Sequence, residues 1–109
     1  MSQDNRVQSG SGNVFADLQL ENADELLVKA ELVRQISELI ILRNLTQTET
    51  AELLGIDQPK VSALLRGKLS GFSTERLFRF LNALGSDVEI RVTVNSASQS
   101  KAQTRVIAV

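Results

Sequence analysis

Gln58, Pro59 and Lys60 stand together in the middle of the chain, followed at helical spacing by Ala63 and Arg66. A glutamine amide carries an acceptor oxygen beside N–H donors, the pairing that meets N6 and N7 of adenine. Pro59 and Ala63 are compact and apolar, suited to a thymine methyl, and Lys60 reaches a phosphate or a guanine. Pro59 is the only proline in 109 residues. In the first turn of a helix its missing N–H costs nothing and its fixed φ already suits the helix. It therefore starts a helix abruptly and stiffens the end that carries Gln58 and Lys60. The chemistry on offer is the reading of base edges, not the making of bonds. The chain has no histidine and no cysteine, which removes the commonest zinc ligands, the usual general base and the thiol nucleophile. No converging carboxylates replace them, so no catalytic residue, metal or cofactor is expected.

These residues need a scaffold, and the flanking sequence "LTQTETAELLGIDQPKVSALLRG" supplies one. Thr46 offers an N-cap with Glu49 three residues on, the spacing of a capping box. Ala51 and Leu54 make a short apolar face, and Gly55 ends this first helix. Asp57 caps a second, whose buried side is Val61, Leu64 and Leu65, and Gly67 ends it. Ala51 is small enough for one helix to cross closely over the other, and Ile56, Val61 and Leu64 fix the angle. Two short helices joined this way form a helix-turn-helix pattern. Gln58, Pro59, Lys60, Ser62, Ala63 and Arg66 are left facing outward. The bare pattern also describes the corner of an ordinary bundle. The bases Arg66, Lys68, Arg76 and Arg79 favour the first reading, since cations there bind phosphates and fix register.

The remaining elements form one domain. Residues 24–43 predict a long helix, with Leu26, Ala30, Val33, Ile36 and Ile40 recurring at three and four and Leu32 and Leu39 widening the stripe. Asn22 or Asp24 is its expected cap, and Asn44 its left-handed stop. Ser73 or Thr74 caps a helix over "TERLFRFLNAL", with Leu77, Leu81 and Leu84 on one face, Phe78 and Phe80 flanking it, and Gly85 stopping it. Then Val88, Ile90, Val92 and Val94 alternate with polar residues, the period of a half-buried strand. The organisation expected is a polar, disordered arm over 1–13, a domain over 14–94 and a flexible tail over 95–109.

Formal net charge is −1, but its distribution is uneven. Residues 1–57 carry four bases against ten acids; residues 58–109 carry eight against three. Local patches rather than totals decide which surface meets a polyanion. No run of 18 apolar residues is present, so no membrane span is expected, and the absence of cysteine suits a reducing cytoplasm.

A lone strand leaves its edge unsatisfied. Its candidate partners are the lead around "NVFADLQL", the tail "RVIAV", or the same strand of a second protomer. The third is favoured, with Val88, Ile90 and Val92 at the dimer seam, because a two-fold pair sets two reading helices about 34 Å apart, one DNA turn. A hairpin with the tail is the alternative.

The stretch "LTQTETAELLGIDQPKVSALLRGKLSGFSTERLFRFLNALGSDVEI" resembles the Xre/Cro helix-turn-helix family, the fold of lambda-type phage repressors. More narrowly, it is similar to small HigA-like antitoxins, encoded beside an RNase toxin of the RelE/HigB kind. "NVFADLQLENADELLVKAEL" resembles that subgroup's lead. The likeness implies a mainly α, lambda-repressor-like bundle, here with a C-terminal strand pairing across a homodimer. It implies a DNA-binding repressor acting on a palindromic operator. Gln58 matches the principal base-reading glutamine, with Pro59, Lys60 and Ala63 at the other reading positions. Gln47 matches a glutamine that touches phosphate and braces its neighbour. Ser62, Arg66, Lys68 and Arg76 fall to the phosphates. Pro59 and Ala63 cannot donate hydrogen bonds where other members often do, so the family's base preference does not carry over. The implied toxin gives the acidic lead a use: Phe15, Asp17, Leu18 and Leu20 are its candidate contacts. The lead could equally pack as an extra helix with solvated acids. A repressor without a toxin, or a protein-interaction module alone, are the competing functions.

Overall fold

The computed structural model describes residues 19–95 and 102–109. Four helices follow in order: α1 (Gln19–Leu42), α2 (Gln47–Leu54), α3 (Gln58–Leu65) and α4 (Thr74–Ala83), with a 3-10 turn at Leu69–Gly71 between the last two. Each short helix begins where the sequence places a cap. Thr46 Oγ1 accepts from the Glu49 amide at 3.0 Å while the Glu49 carboxylate accepts from the Thr46 amide at 2.9 Å, a complete capping box. Asp57 caps α3 through the Lys60 amide, with Pro59 in the first turn, and Ser73 caps α4 through the Arg76 amide.

All four helices stop on a left-handed residue: Asn44 (φ 55°), Gly55, Gly67 and Gly85. In each case the next amide reaches back five residues, as Leu45 does to the Ile40 carbonyl and Ile56 to that of Ala51. At Gly55 the consequence is functional. With φ at 72° the chain reverses within three residues and brings the start of α3 back beside α2.

The longest helix departs from expectation at its start. α1 opens at Gln19, so Asn22 and Asp24 lie inside the helix and do not cap it. "QLEN" contains no breaker, and acids in the opening turns suit the positive end of the helix dipole, so propagation outward is favourable. The buried line is also rotated. Val28, Leu32, Val33, Ile36 and Ile40 are buried, whereas Leu26 is 49% exposed and Ala30 is exposed. The inner stripe follows the row 28, 32, 36, 40, and Leu26 begins a face with no described neighbour to cover it.

α1 packs chiefly on α4, and α2 on α3. The core joins Ile36 and its line to Leu54, Leu64, Phe72, Leu77, Phe80, Leu81 and Leu84. Phe80, expected to flank the α4 face, lies within the core, and Leu65 is exposed beyond it. Thr50 is the one polar side chain buried in the described core. Its hydroxyl is satisfied by the Thr46 carbonyl at 2.8 Å. Arg43 Nη1 donates to the Leu84 carbonyl at 3.2 Å, tying the end of α1 to the end of α4.

No β-ladder forms among the described residues, which corrects the strand expected over 87–94 within this chain. Val88 packs against the core, but Ile90, Val92 and Val94 are 70%, 89% and 92% exposed. The alternation is present in the sequence, yet a helical bundle offers it neither a ladder partner nor an apolar sheet to cover. The tail does not close a hairpin with it. Val106 packs instead against the core, and Gln103–Val106 border a shallow recess with Asp24, Leu27, Val28 and Glu31 of α1.

Candidate nucleic-acid interface

The start of α3 projects from the body. Gln58, Pro59 and Lys60 are all exposed, while Val61 and Leu64, one turn on, are fully buried. Burial on one side and a proline-stiffened turn on the other hold the helix end bare and rigid. A helix end of this kind enters the major groove and brings its first residues to base edges. Ala63 and Ser62 are half-buried farther along α3, so they sit at the margin of the exposed surface.

Gln58 is not loose. Its Nε2 donates to Thr48 Oγ1 at 3.0 Å, a bond between the second residue of α2 and the first of α3. Gln47, which the family likeness makes the brace, is exposed and makes no side-chain hydrogen bond among the described residues. Thr48 was missed on the sequence, although a signal exists. It lies on the helical face of Ala51 and Gly55, where the close crossing of α3 was already expected. Together Thr48, Ala51, Glu52, Gly55, Ile56, Asp57, Gln58, Lys60 and Arg76 line a shallow open recess beside the α3 end.

The cations around this surface differ from most of the described cations elsewhere, Arg43 and Arg105 excepted. On α1, Lys29 pairs with Glu25, and Arg34 with both Glu31 and Glu38. Arg79 pairs with Glu75, and Arg91 with Glu89. Lys60, Arg66, Lys68 and Arg76 make no ion pair with a described residue. Arg66 donates only to Ser62 Oγ at 3.1 Å. Arg76 is half-buried, its guanidinium 5.4 Å from the Phe72 ring centre and 5.7 Å from that of Phe80. Those rings meet edge to face, 5.9 Å apart. Stacking on them holds a planar cation in place without neutralising it. Unpaired cations flanking an exposed reading helix are what a phosphate backbone requires.

Glu31 and Arg34, on α1 and away from this surface, depart from their ordinary values. Glu31 is held below 4.5 by its hydrogen bond from Arg34 and then by that from Gln35, and Arg34 is raised in turn by Glu31. No group of three or more possible metal-ligating side chains occurs among the described residues. No described helix is long and apolar enough to cross a membrane. Of the candidate toxin contacts, Phe15, Asp17 and Leu18 lie outside the described residues, and Leu20 falls in the first turn of α1. The expected arm over 1–13 also lies outside them.

A crossed helix pair with a bare, cation-flanked second helix defines a DNA-binding helix-turn-helix protein. Residues 14–93 match the model of a helix-turn-helix domain family, and the chain belongs to that family. A solved structure described as an XRE family transcriptional regulator is 43% identical, with a TM-score of 0.77; the match covers 81% of this chain and 99% of that one. No curated protein sequence matches.

Proposed function

We propose that the protein is a cytoplasmic transcriptional repressor that binds a palindromic operator as a homodimer and doubles as an antitoxin of the HigA-like kind. The observation that carries the DNA reading is the braced, exposed Gln58 beside four cations without acidic partners among the described residues. Gln58, Pro59, Lys60 and Ala63 read bases; Gln47, Ser62, Arg66, Lys68 and Arg76 hold phosphates. Repression follows from occupancy of the operator, driven by counterion release and by base contacts.

Dimerisation is supported by the uncovered side chains of Ile90, Val92 and Val94, which follow Val88 in strict alternation. Such a segment leaves both its backbone edge and its apolar face to be satisfied, and a second copy can satisfy both. The antitoxin role is supported by α1, where the acids Asp24 and Glu25 adjoin the exposed Leu26 and Leu27. An acidic surface with apolar side chains suits a basic protein, and we assign it, with the sequence candidates Phe15, Asp17, Leu18 and Leu20, to an RNase toxin of the RelE/HigB kind.

A gel-shift titration against the DNA upstream of its own gene tests both roles. Salt-sensitive binding of that duplex at nanomolar protein, altered by adding the product of the adjacent gene, is the expected result. Absence of any shift at low ionic strength overturns the DNA role. An adjacent product that leaves both binding and sedimentation unchanged overturns the antitoxin role.

A further inference from the structure

We propose that Thr48 is a specificity-determining residue: by accepting one N–H of Gln58 it restricts that amide to an adenine edge. The proposal rests on the DNA-binding reading given above. A free glutamine amide has one acceptor oxygen and two N–H donors. It can serve adenine, which offers an N6 donor and an N7 acceptor, or turn both donors toward the O6 and N7 acceptors of guanine. In this protein one donor is already engaged, because Nε2 lies 3.0 Å from Thr48 Oγ1. What remains is one donor beside one acceptor, the complement of adenine. Guanine receives a single N–H and meets an oxygen where it offers no donor.

The geometry of the bond gives it this effect. Thr48 sits in the first turn of α2, behind the capping box of Thr46 and Glu49, so its backbone is fixed. Gln58 sits in the first turn of α3, fixed by the Asp57 cap and by Pro59. A hydrogen bond between two anchored turns holds a side chain that would otherwise rotate freely. Thr48 touches no base itself; it acts through Gln58. Gln47, one residue earlier, makes no such bond, so the two residues have separable effects.

The test selects binding sites from a randomised duplex library with the full-length chain. The position read by Gln58 is the one whose preference disappears in Gln58→Ala. At that position the wild type is expected to prefer adenine over guanine. Thr48→Val keeps the shape and removes the acceptor, and is expected to narrow the adenine-to-guanine ratio by about tenfold. Thr48→Ser restores the acceptor and the ratio. Gln47→Ala lowers affinity for all sites alike and leaves the ratio unchanged. Thr48 is exposed, and thermal melts of the variants check that each is folded. A folded Thr48→Val protein that selects with the wild-type ratio overturns the proposal while leaving the DNA function standing. A wild type that enriches no site overturns the function and the proposal with it.

Discussion

Lys60, Arg66, Lys68 and Arg76 set a number for the salt dependence of DNA binding. Each lacks an acidic partner among the described residues, so each is available to displace a condensed counterion: Arg66, Lys68 and Arg76 at the backbone, and Lys60 because an ammonium at the groove edge reaches a phosphate as well as a base. In the proposed homodimer, two protomers supply eight such groups. With a slope of about −0.9 per neutralised phosphate, log affinity should fall with log salt at a slope of about −7. Between 50 and 200 mM salt that is a loss of about 10⁴-fold. Replacing both Arg66 and Lys68 by alanine removes four of the eight groups. The slope should then fall to about −3.6, and the same salt interval should cost only about 10²-fold.

Fluorescence anisotropy of a labelled operator duplex, titrated at four or five salt concentrations, measures both slopes. The effect must be independent of sequence, since phosphates carry no base information. A scrambled duplex should lose affinity in the same proportion. If the double variant binds more weakly yet keeps the wild-type slope, these side chains do not touch phosphates and the assignment fails. If the wild type itself shows a slope near −3.6, one protomer binds alone, and the dimer falls rather than the interface.

Three further outcomes are expected. If the proposed dimer pairs through residues 88–92, Ile90→Asp should leave a monomer by light scattering where the wild type is a dimer; an intact dimer in the variant places the seam elsewhere. Leu64→Ala, at a fully buried position where α3 meets the core, should lower unfolding free energy by about 2–5 kcal/mol in a urea titration; a loss below about 1 kcal/mol would mean that α3 is not seated as described. Glu31 is held below the ordinary glutamate value in the fold, so its bond to Arg34 contributes stability that is fully present above that ordinary value and is lost as pH falls through the lowered folded one. Arg34→Ala should therefore be less stable than wild type near pH 7, with the gap closing in acid; a gap that persists at pH 2 would assign the effect to packing of the arginine stem.

How far the sequence disclosed this structure depends on whether a feature is local. The caps at Thr46, Asp57 and Ser73 and the stops at Asn44, Gly55, Gly67 and Gly85 all stand where residue type alone places them, because each is settled within a few residues. The exposed position of Gln58 and Lys60 follows from Pro59 and from the burial of Val61 and Leu64. The face of α1 was less legible. Leu26 and Val28 are equally apolar, and only what packs against the helix from elsewhere in the chain decides that Val28 is the one buried. Thr48 was hidden for a similar reason. Its partner lies ten residues away, and the family likeness gives the bracing role to the adjacent glutamine instead. The strand expected over 87–94 shows the limit from the other side. Period two reports a face that needs covering, but a single chain need not contain what covers it.

The same distinction explains how a protein with a net charge of −1 presents a DNA-binding surface. On α1 the bases are matched by acids one turn away: Lys29 with Glu25, and Arg34 with Glu31 and Glu38. Those ion pairs add little stability at an exposed surface, but they cancel the positive field of α1 and leave its acids in excess. Around α3 no described acid pairs with the bases, although Glu52 and Asp57 line the recess nearby. Asp57 is bound to the Lys60 amide as a cap, where the helix end offsets its charge. The charges are therefore unevenly shared, with acids in excess on α1 and bases without acidic partners around α3 among the described residues. In the field of a duplex, a molecule so charged favours approach through α3, because the acid-rich α1 is repelled. Orientation reduces the unproductive share of encounters, and it weakens as added salt shortens the Debye length. The acids that lower the net charge thus direct the approach.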